Sequence, residues 1–221
     1  GSTWSNGKSV YMQLKQDADG HDLDPTDPDN WTVPTPIYRN DASLLNGNKQ
    51  LAATASGGVG MSLDMTYFQD ADGRSYYAWQ QLGATYIATM DPKDPAHVTS
   101  SPVRIVTPEY AWNAAIAEGP NVTLRDGKLY LMFSGSGVGK TYTTGLAVAD
   151  ASGTDLTDPA SWTVLNYPIQ KSGPFNGEMQ LGTGHGMWSE DEDGNQIYVF
   201  HAYATKNLGS VNAAGRDMFV R

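Results

Sequence analysis

The chain has 221 residues, no cysteine, and 24 acidic against 14 basic side chains, for a formal net charge of −10. That balance argues against nucleic acid and anionic membrane as partners, because both select basic surfaces. The missing thiols rule out a disulfide framework and thiolate metal sites.

The length allows one large all-β domain or two small ones. Twenty-four Gly and 12 Pro, with 6 Trp, 12 Tyr and 5 Phe, favour short strands joined by tight turns. No apolar run is long enough to cross a bilayer, and residues 1–12 lack the charged start and apolar middle of a signal peptide. Compartment, secreted or cytoplasmic, stays open.

In chain order, "SVYMQLKQ" at 9–16 reads as one strand, and "DPTDPDNWTV" at 24–33 as an acidic, Pro-containing turn before another. Two such elements then recur. An Asp-Gly turn followed by an aromatic strand appears as "DADGRSYYAWQ" at 70–80, "LRDGKLYLMFS" at 124–134 and "DEDGNQIYVFH" at 191–201. Each predicts a hairpin closed by a two-residue turn, since Asp-Gly suits the positive φ angles such turns need. The Pro-turn returns as "DPKDPAHVTS" at 91–100 and "LTDPASWTVL" at 156–165.

The glycines at 73, 127 and 194 and the prolines at 28, 95 and 159 repeat at intervals of about 54 to 67 residues, the spacing of propeller blades with several strands each. The alternative is a β-sandwich with chance similarity between its turns. The blade reading makes residues 1–221 a single β-propeller domain. It has a partial first blade at about 1–48, blades at about 52–107 and 114–167, and a last, truncated blade from about 174. The expectation is a propeller incomplete at both ends.

Two acids stand out. Glu118 lies in "IAEGPNV" at 116–122, between small apolar residues and a Gly-Pro pair that breaks the regular ladder. By itself this is ordinary loop chemistry. Asp64, in "GMSLDMTYFQDADG", precedes the hairpin of the preceding blade much as Glu118 precedes its own. The expectation is that both occupy similar places on neighbouring inner strands and point to one central pocket. Converging carboxylates perturb one another's ionisation, as acid catalysis of glycoside cleavage requires.

Four segments in this order resemble family 43 of the glycoside hydrolases, the five-bladed propellers that include α-L-arabinofuranosidases, β-xylosidases and arabinanases. They are "SLDMTYFQDADGRSYYAW", "AEGPNVTLRDGKLYLMFSGS", "GTGHGMWSEDEDGNQIYVFHAY" and "GRDMFVR". The resemblance implies that Glu118 is the general acid and that Asp64 tunes its protonation. It implies that His185 lies at the propeller axis near a structural calcium or sodium ion or a water, none of which the chemistry requires. It also gives Arg216 a polar contact to substrate or acid.

Trp112, six residues before Glu118, is read as a wall of the same pocket, with packing between blades as the alternative. Trp31 and Trp162 recur with the Pro-turns and are read as structural. The family's general base, in an Asp-Pro type motif near the amino terminus, finds no match. The acids at 17, 19, 22, 24, 27 and 29 fall in the wrong part of a blade.

The implied function is an inverting glycosidase releasing arabinose or xylose from plant polysaccharide, most nearly an α-L-arabinofuranosidase. Against it stand a carbohydrate-binding propeller without turnover and an inactive fragment of a longer five-bladed enzyme. The expected partners are arabinose- or xylose-containing glycans, with self-association through open sheet edges.

Overall fold

The computed structural model describes residues 9–45, 62–175, 177–204 and 217–220. Among them are fifteen strands and three single-turn 3₁₀ segments. β1 (Val10–Tyr11) and β2 (Thr35–Pro36) form a small antiparallel ladder.

The first large sheet holds β3 (Leu63–Gln69), β4 (Ser75–Gln81), β5 (Ala84–Asp91) and β6 (Asp94–Val98) in that order, with β7 (Val103–Val106) also on β5. The second runs β8 (Ala117–Arg125), β9 (Lys128–Gly135), β10 (Thr143–Asp150), β11 (Thr163–Val164). The third runs β12 (Gly173–Phe175), β13 (Glu178–Glu190), β14 (Gln196–Ala204), β15 (Asp217–Val220). These meandering sheets are the blades of an all-β propeller.

The packing explains why β4 reads "SYYAWQQ" with no polar alternation: every one of its residues is buried. A sheet covered on both faces needs apolar side chains at successive positions. Tyr76 and Ala78 enter the core shared with the second sheet, against Leu131 and Phe133. Tyr77 and Trp79 point the other way, to a core shared with Ile37 and Leu45 of the amino-terminal segment. That segment is fastened to the edge of β6 by Tyr38, whose N–H donates to Ala96 O (2.8 Å) and whose carbonyl accepts from Val98 N (3.0 Å).

Two turn expectations need correction. Of the three Asp-Gly turns, Asp126-Gly127 alone makes a two-residue hairpin, with φ of 49° and 75°. The turns at Asp70 and Asp191 are longer. There Asp70 Oδ1 accepts from the N–H groups of Asp72 and Arg74, and Asp191 Oδ1 from those of Asp193 and Asn195, so the positive φ falls only on Gly73 and Gly194. The carboxylate at the turn's start organises the loop and demands extra residues.

Of the Pro-turns, "DPTDPDNW" and "DLTDPASW" are true twins. Thr26 and Thr157 donate to Asp24 and Asp155 at 2.7 Å, and Trp31 and Trp162 donate their indole N–H six residues back, to Pro25 O and Leu156 O. The copy at 91–98 has Lys93 and Val98 in place of Thr and Trp. It closes instead as a tight hairpin between β5 and β6, with Asp91 paired to Asp94.

Candidate active site

β3, β8 and β13 each carry a bulge at the same place. In β3 the register slips between Leu63 and Thr66, so that Asp64 and Met65 face Trp79. In β8 it slips between Glu118 and Asn121, where Gly119 and Pro120 face Phe133. In β13 it slips between Gly184 and Met187, where His185 and Gly186 face Phe200.

The first bulged residue is left-handed each time: Asp64 at φ 56°, Gly119 at 59°, His185 at 48°. Asp and His are among the few non-glycine types that adopt this region readily. Bulges re-aim side chains, and Pro120 is admitted because the unpaired position asks for no N–H.

The three repeats also correct an expectation. Asp64 matches Gly119, whereas Glu118 matches Leu63 and Gly184, so the two acids differ by one position along their strands. The contacts nevertheless bring them to one cluster. Asp64 Oδ2 accepts the N–H of Gly119 across the blade boundary at 3.1 Å. Asp64 Oδ1 lies 3.7 Å from His185 Nε2. His185 Nδ1 is 3.2 Å from the hydroxyl of Tyr142, and that hydroxyl donates to Glu118 Oε1 at 2.6 Å. Behind them Ser134 Oγ, opposite Glu118 in the ladder, accepts the N–H of His185 at 2.6 Å.

Tyr142 and Ser134 were not singled out from the sequence. Burial, followed by the negative charge of Glu118, pushes the Tyr142 phenol far above its usual range. The hydroxyl therefore stays protonated and acts as a donor. The same oxygen stands 3.2 Å from His185 Nδ1, so the phenol joins the acid to the histidine.

Close approach sets two glycines here. A Cβ on Gly119 would stand 3.2 Å from His185 Nδ1, and one on Gly184 would stand 2.4 Å from the Tyr142 ring.

Trp112 is placed differently from its expected position. Its indole stacks between Tyr110 and Phe133, with centroids at 6.1 and 6.0 Å, crowds Gly145, and donates to Asn166 O at 3.0 Å. Phe133 and Ala117 face the core shared with the first sheet, while the pleat turns Ser134 and Glu118 to the other face. Trp112 thus has the contacts of packing between blades. Arg216 lies outside the described residues.

An ion near His185 would find few side-chain oxygens and would be held mainly by water. Nδ1 meets the Tyr142 hydroxyl at 3.2 Å, and Asp64 is the carboxylate beside Nε2, 3.7 Å away, whereas calcium takes roughly six to eight oxygen ligands. Among the described residues, the His/Asp/Glu group with ligand atoms in mutual reach is Asp17, Asp19 and His21, all exposed. There Asp17 already accepts the N–H groups of Asp19 and His21.

A propeller whose inner strands bring two carboxylates to a tyrosine–histidine bridge at one end is a scaffold for acid-assisted chemistry. The sequence profile of Glycosyl hydrolases family 43 matches residues 48–221. The chain belongs to that family.

It is 33% identical over 159 residues to an extracellular exo-α-(1→5)-L-arabinofuranosidase of Streptomyces chartreusis, covering 66% of this chain and 46% of that protein. It is 32% identical over 152 residues to α-L-arabinofuranosidase 43 of Humicola insolens, covering 63% of this chain and 30% of the relative. The chain thus matches less than half the length of these relatives. In fold it resembles the crystal structure of the α-L-arabinofuranosidase from Lactobacillus brevis, with a TM-score of 0.70 and 24% identity over 96% of this chain and 67% of that one.

Proposed function

We propose that the chain carries the acid half of an inverting glycosidase that releases terminal arabinofuranosyl units from plant cell-wall glycans. In this reading Glu118 protonates the leaving oxygen. Asp64 orients it through Gly119 and, by its charge, favours the protonated acid. The observation that carries the reading is the Tyr142–Glu118 contact beside Asp64, which holds a carboxyl group in a fixed orientation at the meeting point of three inner strands.

The sugar is inferred from the arabinofuranosidases among the relatives, and xylosides are the competing substrate. We assign no general base. The acids at 17, 19, 22, 24, 27 and 29 are exposed, and several are bound within their own turns. The reading requires no metal for the chemistry, and an ion at His185 would need water for most of its shell.

The test is to incubate the chain with 4-nitrophenyl α-L-arabinofuranoside and β-D-xyloside and follow product stereochemistry by proton NMR. Release of β-arabinose from the first alone supports the reading. Retained configuration overturns inversion, and sugar binding without release identifies a binding propeller.

A further inference from the structure

We propose that Tyr142 is a positioning residue for the proton donor, a role that rests on reading Glu118 as that donor. The phenol is 1% exposed and fixed on several sides. Its ring stacks on His201 at 6.0 Å with an interplanar angle of 13°, and lies over Gly184, where any side chain would collide with it. It directly precedes β10, which is paired along its length to β9, and its own N–H donates to Gly139 O at 3.1 Å, so its backbone is held on both sides. A ring held in this way can aim its hydroxyl in one direction, and that direction is Glu118 Oε1 at 2.6 Å.

The consequence is chemical. Oε1 already accepts a hydrogen bond from a phenol that stays protonated, so the transferable proton of Glu118 is carried on Oε2. One oxygen of the acid is a fixed anchor and the other is the delivering atom. Asp64 grips the same acid independently, through the backbone N–H of Gly119. His185 packs on the far side of the phenol, with Nδ1 3.2 Å from its oxygen, and narrows the space the hydroxyl can occupy. The acid is thereby oriented from its backbone by one inner strand and from its side chain by the third strand of its own sheet.

The role predicts a selective loss. Positioning of a proton matters most when the departing oxygen is a poor leaving group and least when it leaves unaided. In the full 221-residue chain, Tyr142→Phe is expected to lower kcat on an α-1,5-linked arabino-oligosaccharide about 10- to 100-fold, to change kcat on an activated aryl arabinofuranoside less than about threefold, and to leave KM nearly unchanged. Glu118→Gln, measured beside it, separates the two readings. If Glu118→Gln leaves both substrates unaffected, the donor assignment itself fails. If Glu118→Gln is impaired while Tyr142→Phe matches the parent, or loses equally on both substrates, the positioning role is overturned.

Should the chain bind sugar without turnover, the crystal structure of Tyr142→Phe decides. A Glu118 side chain that leaves its rotamer supports the role, and one that stays in place overturns it.

Discussion

Asp64 on β3 accepts the backbone N–H of Gly119 on β8 at 3.1 Å, although one residue lies in the first large sheet and the other in the second. A side chain of one blade thus holds the residue that follows the candidate acid of the next. Asparagine can keep this acceptor and also tolerates the left-handed backbone of Asp64, whereas alanine does neither. Asp64→Asn should change stability by less than about 0.5 kcal/mol and Asp64→Ala should cost about 1 to 3 kcal/mol, read by urea unfolding. Both should lose turnover. Equal stability of the two variants would remove the hydrogen bond from the account.

Gly119→Ala combines a φ of 59° with a Cβ only 3.2 Å from His185 Nδ1. The expected cost is about 1 to 2 kcal/mol from the backbone alone. The His185 ring resonances should also move in NMR spectra, because the added methyl group meets that ring. A variant of parental stability with unshifted His185 signals would contradict the geometry.

Trp112 separates a sequence expectation from the packing observed. An indole wedged against Phe133 and Gly145 supports the fold, so Trp112→Ala should lower stability by at least about 2 kcal/mol. At temperatures where the variant is folded, KM for arabinosides should stay close to the parent value. A raised KM with unchanged stability would return Trp112 to the sugar pocket.

Alkaline pH should destabilise the chain through its buried phenols, two of them in the first sheet. Tyr76 and Tyr77 are pushed up to about 12, chiefly by burial and then by neighbouring groups, Asp70 for Tyr76 and Tyr11 for Tyr77. A phenol with a raised folded value keeps its proton while the unfolded chain loses it near 10. Their contribution is therefore complete below about pH 10 and disappears as pH rises toward 12. Unfolding midpoints measured from pH 8 to 12 should fall in that window, and Tyr77→Phe should flatten the fall. A midpoint independent of pH there would contradict the burial of these rings.

Much of this architecture was visible in the order of residues. The spacing of Asp-Gly turns marked the sheets, and the continuous apolar run around Trp79 follows from a sheet covered on both faces. Asp64 and Glu118 were legible because each precedes its own hairpin. Their one-residue offset was not, since a bulge inserts a residue without any compositional mark and reverses the pleat alternation beyond it. Trp112 lies on the 3₁₀ segment Ala111–Asn113 ahead of β8, where no strand alternation marks the face it takes. Tyr142 lies 24 residues from Glu118 and reaches it only because two strands of one sheet fold back together. The Gly-rich "GSGVGK" before it shows a turn, and nothing local shows where the phenol points.

The most direct test is the kinetics of Glu118→Gln on an α-1,5-linked arabino-oligosaccharide and on an activated aryl arabinofuranoside, with sugar binding measured by calorimetry. The account predicts a loss of about 100- to 10,000-fold on the oligosaccharide, a much smaller loss on the aryl glycoside, and binding close to that of the parent chain. Parental turnover of the oligosaccharide by Glu118→Gln would contradict it.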